Sequence, residues 1–271
     1  MNRFTALFLT VPLALPLAAG SPAGGFTLGV YAGTPSLSGH FLEKGGNLGD
    51  FKTNFDIERD LGLKTDGMAK GLYASYLGPR FGLSVDYLST SYAGDKSFKG
   101  SVWVDGHEIT GTGNLVSSLD TKIMDVNLTV KVISIKNVFW LGVDLGVQSW
   151  TVEGKVTGYL APDNPLLPTP PPEGPYTVPP VTVPVPQVGI SGGFSALGNR
   201  LEARGRFSFI SYKGVSYKRV GADARFYVLP WLGVRAFFDG QSLDVPDGSV
   251  IDDMEVKLDR SVVGFGVAVR F

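Results

Sequence analysis

Residues able to do covalent or metal chemistry are few in this sequence. There are two histidines, His40 and His107, and no cysteine. Without thiols there is no disulfide, no thiolate nucleophile and no cysteine-held zinc. In "VDGHE", Asp105 lies two residues before His107 and shares its side of the chain if that stretch is extended. An aspartate that orients an imidazole makes a general base, so the pair is a candidate hydrolytic centre. Ser117 and Ser118 are available as nucleophiles for such a base. "IDDME" (251–255) is a loose candidate for a second acidic pair. "DVPDGSVIDDMEV" lacks the spacing of a dedicated calcium loop. Neither "GTGNLV" nor "GFGVAV" fits the dinucleotide fingerprint. No metal and no cofactor is expected. With 24 basic and 25 acidic residues the net charge is −1, which gives no field to attract nucleic acid.

A larger set of charged residues recurs at every second position. Asp86, Asp125, Lys131, Asp144, Glu202, Arg204, Arg206, Arg219, Asp223, Arg225, Arg235 and Asp239 each stand opposite an apolar face. In "KIMDVNLTVKVIS", Met124, Val126, Leu128, Val130 and Val132 form one side, and Asp125, Asn127, Thr129 and Lys131 the other. Period two of this kind is the signature of β-strands with two different surroundings. "VFWLGVDLGVQSW", "RLEARGRFSFISY", "YKRVGADARFYVL", "LGVRAFFDGQ" and the final "VVGFGVAVRF" repeat the pattern. Less regular runs cover 26–34, 68–77, 81–92 and 185–196, for about ten strands in all. Opposite charges on neighbouring strands can pair across a narrow interior. Gly142, Gly146, Gly221, Gly264 and Gly266 fall on the charged faces, where a tight wall curves around a crowded lumen.

The connections alternate in length. "LGPRFG", "SIKN", "LGNR" and "LPWLG" are tight, whereas 35–66, 93–119, 154–184 and 244–255 are long. "YKGVS" (212–216) is short where a long one is expected. Short and long connections at opposite ends are the pattern of a membrane barrel with periplasmic turns and outer loops. The segment 161–186 is rich in proline, which argues against a central strand and for a stiffened outer loop or a projecting arm. Trp231 and Tyr227 are candidates for an inner aromatic belt, and Trp150 and Tyr92 for an outer one. The first twenty residues have a basic start, an apolar stretch broken by Pro12 and Pro16, and small residues after it. They read as a secretory signal peptide, cut after Gly20 or Ala23, ahead of a single domain over 21–271.

The closing strand, with Phe265, Val267, Val269 and Phe271 on one face, resembles the C-terminal signature of bacterial outer-membrane β-barrels. That resemblance implies recognition by the barrel-insertion machinery. It also implies an all-β, closed, antiparallel, up-and-down transmembrane barrel of about ten strands, with eight as the alternative. The expected surroundings are outer-membrane lipids and lipopolysaccharide. The expected role is non-enzymatic, structural or surface-binding, with a largely filled charged lumen. The alternatives are a narrow solute or ion pore lined by the arginines and aspartates, or a rim hydrolase around His107. The latter resembles the omptin proteases or the lipid A-modifying enzymes. A soluble ligand-carrying barrel would turn the same faces the other way round.

Overall fold

The computed structural model describes residues 25–44, 52–57, 62–64, 67–104, 107–135, 138–160, 173–212, 214–246 and 254–271. The segment read as a signal peptide, Asp105 and most of "IDDME" lie outside them. Ten long antiparallel strands form a ring. They are β1 (Gly25–Lys44), β4 (Ala69–Leu77), β5 (Phe81–Val104), β6 (His107–Ile135), β7 (Phe139–Leu160), β8 (Glu173–Ala196), β9 (Leu201–Tyr212), β10 (Val215–Tyr227), β11 (Leu232–Val245) and β12 (Met254–Arg270). Each pairs with the next in sequence, except that β1 neighbours β4. Two short strands, β2 (Lys52–Asp56) and β3 (Leu63–Lys64), pair with β1 and β5. The ring closes through β1 and β12, in register from Thr27 opposite Arg270 to Glu43 opposite Met254. Closure leaves no free strand edge for the membrane to expose, since lipid cannot satisfy backbone hydrogen bonds.

The strands change character along their length, and the surroundings explain why. Near the short turns the outward residues are apolar and well exposed: Met124, Val126, Leu128 and Val130 on β6, and Val263, Phe265 and Val267 on β12. Phe265 is 73% exposed, whereas inward-facing Asp144 is 1% exposed. This belt takes about ten residues per strand, the length that crosses the hydrocarbon at a tilt. Farther from the turns the faces exchange roles. On β12 the outward residues become Asp259 and Lys257, while Val256 and Leu258 turn inward and are buried. On β6 the change comes at Lys122, outward, and Ile123, inward. A wall in lipid needs apolar outside and polar inside, and a wall in water needs the reverse.

The long connections expected at 35–66, 93–119 and 154–184 are therefore largely strand wherever they are described. β5 runs to Val104 and β7 to Leu160, as a wall that continues beyond the membrane. Proline does not stop β8 either, which runs through Pro184 and Pro186. Below Val188, β8 pairs with β7 but has no register with β9. That half is an edge, where a residue without an N–H is tolerated.

Candidate functional site

The inward faces build one continuous interior with two layers. Around the middle, carboxylates and guanidiniums from strands far apart in sequence meet. Arg206 and Arg219 both donate to Asp125 Oδ2, at 2.9 and 2.8 Å, and Gln187 donates to Oδ1 at 3.2 Å. Asp144 accepts from Thr129 at 2.6 Å and Ser191 at 2.8 Å, and lies 3.6 Å from Arg206 Nε. Arg219 Nε donates to Asp239 Oδ1 at 2.7 Å, and Gln241 to Oδ2 at 2.6 Å. Nearer the short turns, Asp223 faces Arg225 at 3.1 Å and Arg235 at 3.5 Å. Glu202 lies 3.4 Å from Arg204 and 3.0 Å from Arg270. Asp86 accepts from the Tyr31 hydroxyl. Lys131 sits 5.4 Å over the Trp140 ring.

Toward the other end the interior is apolar. Leu37, Ile57, Leu63, Leu88, Ile123, Val185, Leu243, Val245, Val256 and Leu258 form a buried cluster with Tyr92 and Trp150. Trp150 and Tyr217 both donate to Gln148 Oε1 at 2.7 Å, so the polar tips of the aromatics are tied to the layer below. This assembly lies in the outer half of the interior. A cavity of about 130 Å³ lies among the arginines, its lining including Leu77, Gly82 and Trp140. Glycines make room for its rings. A Cβ on Gly71 would come within 2.2 Å of the Tyr31 ring, and one on Gly264 within 2.6 Å of Phe237.

Three aromatics expected in the membrane belts point inward instead. Tyr92 and Trp150 belong to the apolar cluster, and Tyr227 is fully buried with the Arg270 guanidinium 3.9 Å over its ring. Trp231 is exposed beside its turn. The parity of each strand decides this: Tyr227 continues the Asp223 and Arg225 face, and Trp150 the Asp144 and Gln148 face. Phe265 and Val267 are outward and exposed, Val269 is half-buried, and Phe271 packs its ring 6.3 Å from Phe26.

Sequence reasoning missed Arg260, whose side chain is fully buried 3.9 Å from Asp239, and Arg270 as a lumen residue. It also missed Tyr31, Tyr73, Gln148, Gln187 and Gln241. Arg260 shares the even-numbered face of Gly264 and Gly266, so extending that parity upward finds it. Of the hydrolase candidates, Ser117 is buried and faces Gly94 across the sheet, and His107 is paired through its backbone with Val104. His40 Nε2 lies 3.7 Å from Glu255 Oε1 across the β1–β12 seam. Among the described residues no cluster of three metal-ligating side chains occurs.

No protein-family model and no curated protein matches the sequence. Solved structures do. The outer membrane protease OmpT from Escherichia coli matches with a TM-score of 0.61 at 14% identity, over 91% of this chain and 97% of that one. The β domain of the Bordetella autotransporter BrkA is 12% identical over 92% of this chain and all of that one, with a TM-score of 0.39. Ail of Yersinia pestis is 12% identical over 92% of this chain and 99% of that one, with a TM-score of 0.32. The fold argument rests on the first of these. It shows that this chain has the fold of bacterial outer-membrane β-barrels, and the exposed apolar belt of the strands agrees with that fold.

Proposed function

We propose that this barrel is a sealed, non-enzymatic outer-membrane protein that holds a rigid surface structure above the bilayer. The observation that carries this is the apolar cluster filling the lumen above the ion-pair layer. A conducting pore needs a continuous wetted path, and Leu258, Val256, Leu243 and Leu88 occupy its outer half. The same cluster gives the wall beyond the membrane a core of its own. β5, β6, β7 and β8 have 24, 29, 22 and 24 residues. Roughly half of each exceeds the nine to eleven residues a crossing needs. β9, β10 and β11 have 12, 13 and 14 residues, so the projecting wall is lower there. Its outward residues, such as Asp120, Lys122, Glu153 and Lys155, suit contact with water and polar surface partners, lipopolysaccharide among them. Assembly proceeds through the barrel-insertion machinery, which reads the closing strand with Phe265, Val267, Val269 and Phe271.

Planar-bilayer recording tests the sealed lumen. The expected result is no discrete openings at moderate voltage. Discrete openings that vanish when Arg225 is reversed to Glu would replace this reading with a selective pore lined by Arg204, Arg206, Arg225 and Arg235. Purified folded protein is expected to leave peptides and lipid A unchanged; turnover lost in His40→Ala or His107→Ala would make it a rim enzyme.

A further inference from the structure

The ion pairs of the lumen are not evenly balanced. In the middle layer three guanidiniums, Arg206, Arg219 and Arg260, face three carboxylates, Asp125, Asp144 and Asp239. Toward the short turns five cations, Lys131, Arg204, Arg225, Arg235 and Arg270, stand near three carboxylates, Asp86, Glu202 and Asp223. Asp86 stands opposite Asp125 in the sheet, and over both groups the eight cations exceed the six carboxylates by two.

The excess converges on one place. The guanidiniums of Arg225 and Arg235 lie 5.0 and 4.2 Å from the centre of the Tyr73 ring. Arg225 is 3% exposed, Tyr73 4% and Arg235 9%. Arg225 Nη1, Arg235 Nε, Arg235 Nη1 and the Tyr73 hydroxyl have no hydrogen-bond partner in the protein. Buried donors left without acceptors are costly, and more so when charged. These three residues and Arg204 line the 130 Å³ cavity. Arg204 keeps 20% of its side chain accessible.

We infer that this cavity is an oxyanion-binding pocket, in which Arg204, Arg225, Arg235 and the Tyr73 hydroxyl hold a phosphate or carboxylate group. Several planar forks converging on one small space match the acceptor geometry of such groups. Chloride presents no oxygen lone pairs arranged to meet two forks at once.

The test is calorimetric titration of the folded barrel in nanodiscs with inorganic phosphate, and separately with acetate, against sodium chloride at matched ionic strength. Phosphate or acetate is expected to saturate at one per barrel while chloride gives no saturable heat. The affinity is expected to fall at least tenfold in Arg235→Gln and in Arg204→Gln and to stay unchanged in Lys122→Gln, which faces outward. Asp223 keeps Arg225 as a partner in Arg235→Gln, and heat-modifiable migration confirms that each variant is folded. Where an arginine variant does not fold, Tyr73→Phe replaces it, with a severalfold loss expected. Saturable binding by neither oxyanion, or binding of full strength in the folded arginine variants, overturns the inference.

Discussion

Asp125 is the residue on which most of the interior depends. It is 3% exposed and accepts from two guanidiniums and a glutamine on strands β8, β9 and β10. Removing one partner of a buried ionic network costs about 3–5 kcal/mol, because the remaining charges stay desolvated. Asp125→Ala is therefore expected to lower by many degrees the temperature at which the folded band disappears on a gel. Lys122→Ala, on the outward side of the same strand, is expected to leave it nearly unchanged. Gly71→Ala acts sterically instead: the new methyl meets the Tyr31 ring at 2.2–2.5 Å. Overpacking of this kind costs about 1–3 kcal/mol, and denaturant titration in detergent is expected to show it. A shift within error would mean that the rings move freely. Charged residues such as Asp125, Asp144 and Arg225 were legible from alternation, since each stands opposite a run of apolar residues, whereas Arg260 lies where the pattern changes parity. Tyr31 and Tyr73 were not legible, because aromatics suit either face.

Among the elements, the tight turns and the membrane-crossing halves of the strands could be read from period two. The outer halves could not, and the reason lies in the change of surroundings. When the solvent changes from lipid to water the apolar residues move to the opposite parity, and a reader following one face sees the pattern fail. "EVKLDRSVVGFGVAV" shows this: Val256 and Leu258 are apolar at even positions, Val263, Phe265 and Val267 at odd ones. β8 is the other case. Its prolines suggested a loop because a two-sided strand excludes them, yet the segment up to Gln187 has β7 alone as partner. Replacing Pro184 and Pro186 together by threonine is thus expected to change stability by less than about 1 kcal/mol. Ile190→Pro, where both neighbours pair, is expected to cost about 3 kcal/mol or more. The heat-modifiable band shift distinguishes them, and equal effects would contradict the edge assignment.

In the whole molecule, a single wall passes through two solvents and inverts its faces between them. In the bilayer it encloses an ion-pair network, and above the bilayer it encloses an apolar core. Because the sequence contains no cysteine, the inversion can be measured directly by placing one spin-labelled cysteine at a time along β12, from position 255 to 269. Accessibility is then read to oxygen, which partitions into lipid, and to a water-soluble nickel reagent. The account predicts oxygen access at 263, 265 and 267, nickel access at 257 and 259, and protection from both at 256, 258 and 260. Nickel access at 265 and 267, with no change of parity along the strand, would contradict it.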